Sequence, residues 1–253
     1  MTPAPWHVEE RLGALWLSLE RPPVNVLDIP TIHALDAALA AAAPRRDLKS
    51  VVLRSAIEGT FSAGVEVRDH ARERVGEMLT AFHSVFQRID ALPQATIAAV
   101  DGRCLGGGCE LALFCDFVLA TPRASFGQPE IDVGCFPPVA AALLPRIAGR
   151  RAMEMVLLGE PLSAAEAERA GLVTRVVEDA DAEAATLAAR LSAKSGSVLA
   201  LARRAVRRGG HGGFAIALAE MERIYRDELL PTADVEEGVR AFLEKRKPRW
   251  TDR

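Results

Sequence analysis

Apolar residues along the chain switch between two spacings, and the switches mark its elements. His7-Val8-Glu9, a turn at Arg11-Leu12-Gly13 and the alternating run Ala14-Leu15-Trp16-Leu17-Ser18-Leu19 predict a hairpin that Pro22 and Pro23 end. From about Pro30 to Ala43, Ile32, Leu35 and Leu39 share one helical face, and Pro44 stops the helix. Ser50 to Ser55, with Val51-Val52-Leu53, predicts a short buried strand. The stretch Ile57 to Val67 carries Gly59 and Gly64 and reads as a functional loop. Val75 to Ala91 puts Met78, Leu79, Phe82, Val85, Phe86 and Ile89 at helical spacing, with both phenylalanines read as core ahead of pocket lining. Thr96 to Val100 and Phe117 to Ala120 predict two more buried strands, with a short helix from Gly106 through Phe114 between them.

From Pro137 onward the pattern is mainly helical. Ser163 and Glu166 form a capping box for a helix that Gly171 ends, and Val173 to Val177 predicts a last strand. Three or four helices then fill Asp181 to Lys247, with Asp234 to Glu237 expected to cap the last. Strands and helices alternate first and helices finish. This predicts an α/β core over residues 1–190 and a helical C-terminal region over 191–253. No internal repeat is evident.

Composition narrows the class. The chain has 253 residues, enough for a sizeable core, with 49% hydrophobic residues and a net charge of -3. That charge gives no general pull toward nucleic acid or anionic membranes. No secretory leader is evident at Met1 to Glu10, and the longest apolar runs, such as Val139 to Leu144, are far short of a membrane span. Cys104, Cys109, Cys115 and Cys135 match no zinc spacing and have no histidine among them. They read as buried reduced thiols of a cytoplasmic protein, with no metal site.

Candidate chemistry centres on a glycine run and two acids. In Gly106-Gly107-Gly108-Cys109-Glu110 the glycines lead into a helix, whose first N–H groups suit an anion or developing oxyanion. A phosphate loop would need Lys and Ser or Thr after the last glycine, and a dinucleotide fingerprint would need a glycine spacing absent here. The loop Phe61-Ser62-Ala63-Gly64-Val65-Glu66-Val67 can turn at Gly64 and present the Val65 N–H. Glu130 closes Phe126-Gly127-Gln128-Pro129-Glu130 and offers a second carboxylate. Taken singly, Glu110 reads as a helix N-terminal acid and Glu130 as an exposed loop acid.

These three motifs, followed by Ala170-Gly171-Leu172-Val173, Glu237-Gly238 and Ala241-Phe242-Leu243-Glu244-Lys245-Arg246, resemble those of the crotonase (enoyl-CoA hydratase/isomerase) superfamily in order and spacing. The resemblance implies a spiral of ββα units acting on an acyl-CoA thioester, with coenzyme A arriving as part of the substrate and no separate cofactor. It implies an oxyanion hole from the N–H groups of Val65 and Gly107, within a substrate site that includes Ala63, Gly64, Val67 and Gly106. Glu110 would activate a water and Glu130 would protonate the α-carbon. Isomerases of the family typically need only the acid matching Glu130, so both acids together favour hydration. A Δ3,Δ2-enoyl-CoA isomerase and a non-catalytic CoA- or RNA-binding relative are the alternatives.

One segment departs from the family pattern. Cys135-Phe136-Pro137-Pro138 replaces a glycine-rich turn, and Phe136 and Pro138 would flatten the acyl pocket toward a cyclic dienoyl group. Arg203, Arg204, Arg207 and Arg208 read as a solvated helix face. By resemblance, Lys245 or Lys247 reaches the CoA phosphates, and the chain assembles as a homotrimer or a dimer of trimers.

Overall fold

The computed structural model describes residues 5–208 and 213–249. Strands β1 (Trp6–Arg11) and β2 (Ala14–Leu19) form the expected hairpin, in register from Trp6↔Leu19 to Arg11↔Ala14. In chain order there follow β3 (Val26–Leu27), α1 (Ile29–Ala42), β4 (Ser50–Ser55), β5 (Thr60–Ser62), β6 (Gly64–Val65), α2 (Val75–Ala91), β7 (Ala95–Val100), β8 (Arg103–Leu105) and α3 (Gly106–Leu113). Next are β9 (Phe117–Ala120), β10 (Ser125–Gly127), α4 (Pro138–Ile147), α5 (Arg151–Leu158), β11 (Leu162–Ser163), α6 (Ala164–Arg169) and β12 (Arg175–Val176). The chain finishes with α7 (Ala180–Ser192), α8 (Gly196–Arg208), α9 (Gly213–Ile224) and α10 (Ala233–Leu243). Short 3-10 turns lie at Val67–His70 and Pro129–Val133, and a π-turn at Tyr225–Leu229. No described helix is long and apolar enough to cross a membrane.

The topology is a spiral. The six-stranded sheet runs β1-β2-β4-β7-β9-β12, and the four-stranded sheet runs β11-β10-β8-β5. Each of β4, β7 and β9 lies in the first sheet and hands the chain to β5, β8 or β10 in the second, before a helix returns it. This ββα unit, used three times, is the crotonase architecture. Strands β4 and β7 carry apolar residues on both faces because both faces are covered. Val51 and Leu53 join the main core, whereas Val52, Ile97 and Trp16 pack with Ala180, Ala184 and Ala188 of α7.

Several local expectations change in detail. The loop Ile57 to Val67 contains β5 and β6, and the last strand contracts to Arg175–Val176. The capping expected at Asp234 to Glu237 does not form. Helix α10 begins after Thr232 with no side-chain cap, and Glu237 accepts bonds from Arg240, Arg246 and the Arg249 N–H instead. The four cysteines are free and buried, as expected.

The arginines of α8 are the largest correction, because half of the supposed solvated face points inward. Arg203 donates to Asp116 (2.6 Å) and to the carbonyls of Leu92 and Ile89, with its side chain only 7% exposed. Arg207 reaches the other oxygen of Asp116 at 2.9 Å and the carbonyl of Phe114. Asp116 in turn receives the Thr96 N–H at the start of β7. Arg204 is exposed, and the side chain of Arg208 lies outside the described residues. Breaking a buried pair by removing one partner costs about 3 kcal/mol. Arg203→Ala should therefore lower the melting temperature by roughly 6–12 °C, while Arg204→Ala should leave it within about 2 °C. Thermal unfolding followed by circular dichroism measures both. Equal effects would show that the Asp116 anchor is unimportant.

Candidate active site

The cavity of about 330 Å³ that receives the start of α3 is bounded by β6, α2, the first residues of α4, the Tyr225–Leu229 turn and the C-terminal tail. Each glycine of the run is required by a different close neighbour. A Cβ at Gly106, whose φ is +50°, would stand 2.7 Å from Glu130 Oε1. One at Gly107 would meet Val65 Cγ2 at 2.6 Å and Phe82 Cζ at 2.9 Å, and one at Gly108 would meet Ser62 Cβ at 2.4 Å. Gly64 turns with φ +100° so that the position of its missing Cβ is 3.4 Å from the Gly107 nitrogen. The two loops singled out in the sequence thus abut, bringing Val65 and the first turn of α3 to one wall. The N–H groups of that turn have no partner within their own helix.

Of the sequence candidates, Ala63, Gly64, Val65, Val67, Gly106, Gly107, Glu110, Glu130, Phe136 and Pro138 line this one cavity. Lys245 does not. It is exposed with φ +53°, and its neighbours Arg246 and Pro248 reach the cavity instead. Phe82 is buried yet lines the cavity, whereas Phe86 packs edge-on against it within the core. The two phenylalanines therefore divide the readings between them.

The acids are held differently. Glu110 is buried in α3, and its Oε1 accepts the Ala140 N–H at 2.7 Å. Ala140 lies in the first turn of α4, and Pro137, which precedes that helix, provides no side-chain cap. Glu110 therefore serves a helix N-terminus as the bland reading held, but that of α4 rather than its own. Burial pushes its carboxyl up to about 7, while the N–H groups of Ala140 and Val139 pull the other way. Glu130 sits in the Pro129–Val133 turn, half-buried, with Oε2 sealed from solvent and without a hydrogen-bond partner. Burial and then the charge of Glu110 hold its carboxyl well above the usual range. Above about pH 7 the pair carries one negative charge, which the α4 N–H groups favour on Glu110.

Residues 9–253 match the sequence profile of the family described as Enoyl-CoA hydratase/isomerase. The chain belongs to this family. A cyclohexa-1,5-dienecarbonyl-CoA hydratase of Thauera aromatica is 37% identical over 251 residues, covering 96% of this chain and 95% of the relative. A probable enoyl-CoA hydratase of Mycobacterium bovis is 35% identical, covering 97% and 96%. Among solved structures, an enoyl-CoA hydratase of Mycobacterium avium subsp. paratuberculosis superposes with a TM-score of 0.87 at 32% identity, over 98% of this chain and 99% of that one.

The family motifs left several cavity residues unmarked. His70, His83 and Tyr225 are buried or half-buried in the lining, and Phe242 closes it from α10. Nothing in the local sequence distinguishes the two histidines from ordinary core or surface positions. Phe242 alone lay within a quoted motif.

The unusual protonation of Glu110 has a consequence for stability. In the unfolded chain it ionises near its ordinary value of 4.5, but in the folded protein only near 7. Between those values the folded state holds the extra proton, so stability falls as pH rises and then levels off. Glu110→Gln keeps an acceptor for Ala140 without the buried charge. It should melt at a higher temperature than the parent at pH 8 and at nearly the same temperature at pH 4.5, by calorimetry. A parent more stable than the variant at pH 8 would contradict the desolvated carboxylate.

Proposed function

We propose that the protein is an acyl-CoA hydratase that adds water across the 2,3-double bond of an enoyl-CoA thioester. The observation that carries this reading is the pair of carboxyls, Glu110 and Glu130, facing one cavity with Val65 and Gly107, with Glu130 the more strongly held in its protonated form. A thioester oxygen between the Val65 and Gly107 N–H groups would have its developing enolate charge stabilised by donors that need no reorganisation. Ionised Glu110 takes a proton from water as the water oxygen bonds to the β-carbon and the π electrons move to the thioester oxygen. Protonated Glu130 then gives its proton to the α-carbon, leaving the hydrated thioester. Return of the proton from Glu110 to Glu130 through solvent restores the resting pair. An isomerase moves one proton and has no need of two acids in unlike states.

The acyl group is a flat, cyclic diene. Phe82, Phe136, Pro137 and Pro138 line the cavity with stiff, planar surfaces, and the Thauera relative is named for a cyclic dienoyl thioester. Lys245 and Lys247 meet the CoA phosphates, a reading supported by their exposure on either side of Arg246, which lines the cavity. The chain works in the cytoplasm as a homotrimer or a dimer of trimers. Exposed Met153, Leu157 and Leu158 on α5 and Val198, Leu201 and Val206 on α8 support association. The RNA-binding alternative loses its main support because Arg203 and Arg207 are committed to Asp116.

Glu110→Gln and Glu130→Gln should each lower the hydration rate at least about a hundredfold. In the parent, kcat/KM should fall as pH drops through about 7, where Glu110 gains its proton, and again at high pH as Glu130 ionises. Hydration measured on crotonyl-CoA, a long-chain enoyl-CoA and cyclohexadienecarbonyl-CoA tests the acyl reading, which preference for the long chain would reject. Turnover of a 3-enoyl-CoA surviving in Glu110→Gln, with no hydration by the parent, would favour the isomerase.

A further inference from the structure

Ser62, the last residue of β5, lies where the two glycine-bearing loops meet and is 1% exposed. Its Oγ accepts the Gly64 N–H at 3.1 Å and donates to the Asn25 carbonyl at 2.7 Å. That acceptor is fixed. The buried Asn25 side chain accepts the Arg21 N–H at 2.7 Å, and donates to Ser55 Oγ at 2.8 Å and to the Phe61 carbonyl at 3.1 Å. On its other side Ser62 abuts α3, where its Oγ would stand 2.6 Å from a Cβ on Gly108. One small side chain therefore touches both the turn before Val65 and the residue after Gly107.

The hydroxyl takes the place of a rung in a ladder. Strand β6 runs parallel to β3, with Val26 opposite Gly64 and Leu27 opposite Val65. Ala63 donates its N–H to the Val24 carbonyl at 2.9 Å, and Glu66 donates to the Leu27 carbonyl at 3.0 Å. Between them the Gly64 N–H is linked to the Asn25 carbonyl through Ser62 Oγ. With Gly64 and Glu66 tied toward β3, the alternation of a strand turns the Val65 N–H the other way. Without the hydroxyl, the buried Gly64 N–H would lose its partner. Gly64, at φ +100°, would then be free to use the wide backbone range of a glycine.

We propose that Ser62 is a positioning residue for the oxyanion hole, holding the Val65 N–H in place relative to that of Gly107 while itself touching no substrate. This deepens the acyl-CoA reading and rests on it. Fixed donors stabilise a developing enolate because they need not reorganise as the charge appears. A donor loop free to shift therefore costs rate more than affinity.

The absorption of para-dimethylaminocinnamoyl-CoA moves to longer wavelength as its carbonyl oxygen is polarised, so the probe bound to the full chain reports the hole directly. The parent should shift the band of the bound probe to longer wavelength than in water. In Ser62→Ala at saturation that shift should fall to about half, one of two donors being displaced. On crotonyl-CoA, kcat should fall about tenfold with KM within about threefold. The position of the bound band does not depend on the fraction of folded protein. Should Ser62→Ala fail to fold, Ser62→Cys gives the same comparison with a weaker donor in that place. A variant that keeps the parent's full shift, whatever its stability, overturns the proposal, as does an unchanged kcat. A parent that binds the probe without a shift, or does not bind it, overturns the proposal together with the oxyanion hole. A Ser62-dependent shift in a protein that hydrates no enoyl-CoA would retire the hydratase reading and keep the positioning role.

Discussion

The hydrogen bond from the Ala140 N–H to Glu110 Oε1 is the contact on which the rest of the site depends. It joins α3 to α4, the helix after the Pro129–Val133 turn, at a carboxyl buried in the cavity wall. A carboxyl buried among apolar groups would ordinarily stay protonated. Two N–H groups of a helix N-terminus reduce that tendency enough for Glu110 to ionise near neutral pH. Burial, and then the charge of Glu110, keep Glu130 protonated. The start of one helix therefore helps to hold two carboxyls of the same chemical type in unlike states.

The same contact gives the paired prolines a second meaning. Pro138 is the first residue of α4 and Pro137 precedes it. Proline at a helix start loses no intrahelical bond and presets the backbone. The stiff segment that lines the cavity thus also fixes where the α4 N–H groups point. Cavity shape and carboxyl protonation both depend on Phe136-Pro137-Pro138, and a change at either proline would act on both.

Legibility in the sequence followed the range of the interactions. Helix α2 occupies Val75 to Ala91 as its spacing requires, because one amphipathic face suffices to define it. The glycine run and the two acids were visible as motifs, and the fold brings them to one cavity. What pattern could not show were partners distant in the chain. Glu110 was read against the dipole of its own helix, yet it serves a helix thirty residues on. Arg203 belongs to an apparently solvated basic run but binds Asp116 across 87 residues. His83 and Tyr225 carry no local signal at all, since a buried polar side chain on a cavity wall exists only once the walls around it are assembled.

The C-terminal residues show how such distant pairing reaches the chemistry. Asp234 to Glu237 has the sequence form of a helix cap, but Glu237 turns to collect Arg240, both terminal nitrogens of Arg246 and the Arg249 N–H. This draws Arg246 and Pro248 over the cavity mouth. One residue later, a Cβ on Gly238 would lie 2.2 Å from the Val133 carbonyl, so α10 rests directly on the backbone of the turn that carries Glu130. Phe242, a turn further along α10, reaches the same cavity. The helix that closes the site and the turn that holds its acid are therefore one packed unit. A shift of the tail would move Glu130, whose sealed Oε2 depends on that packing for its raised affinity for the proton.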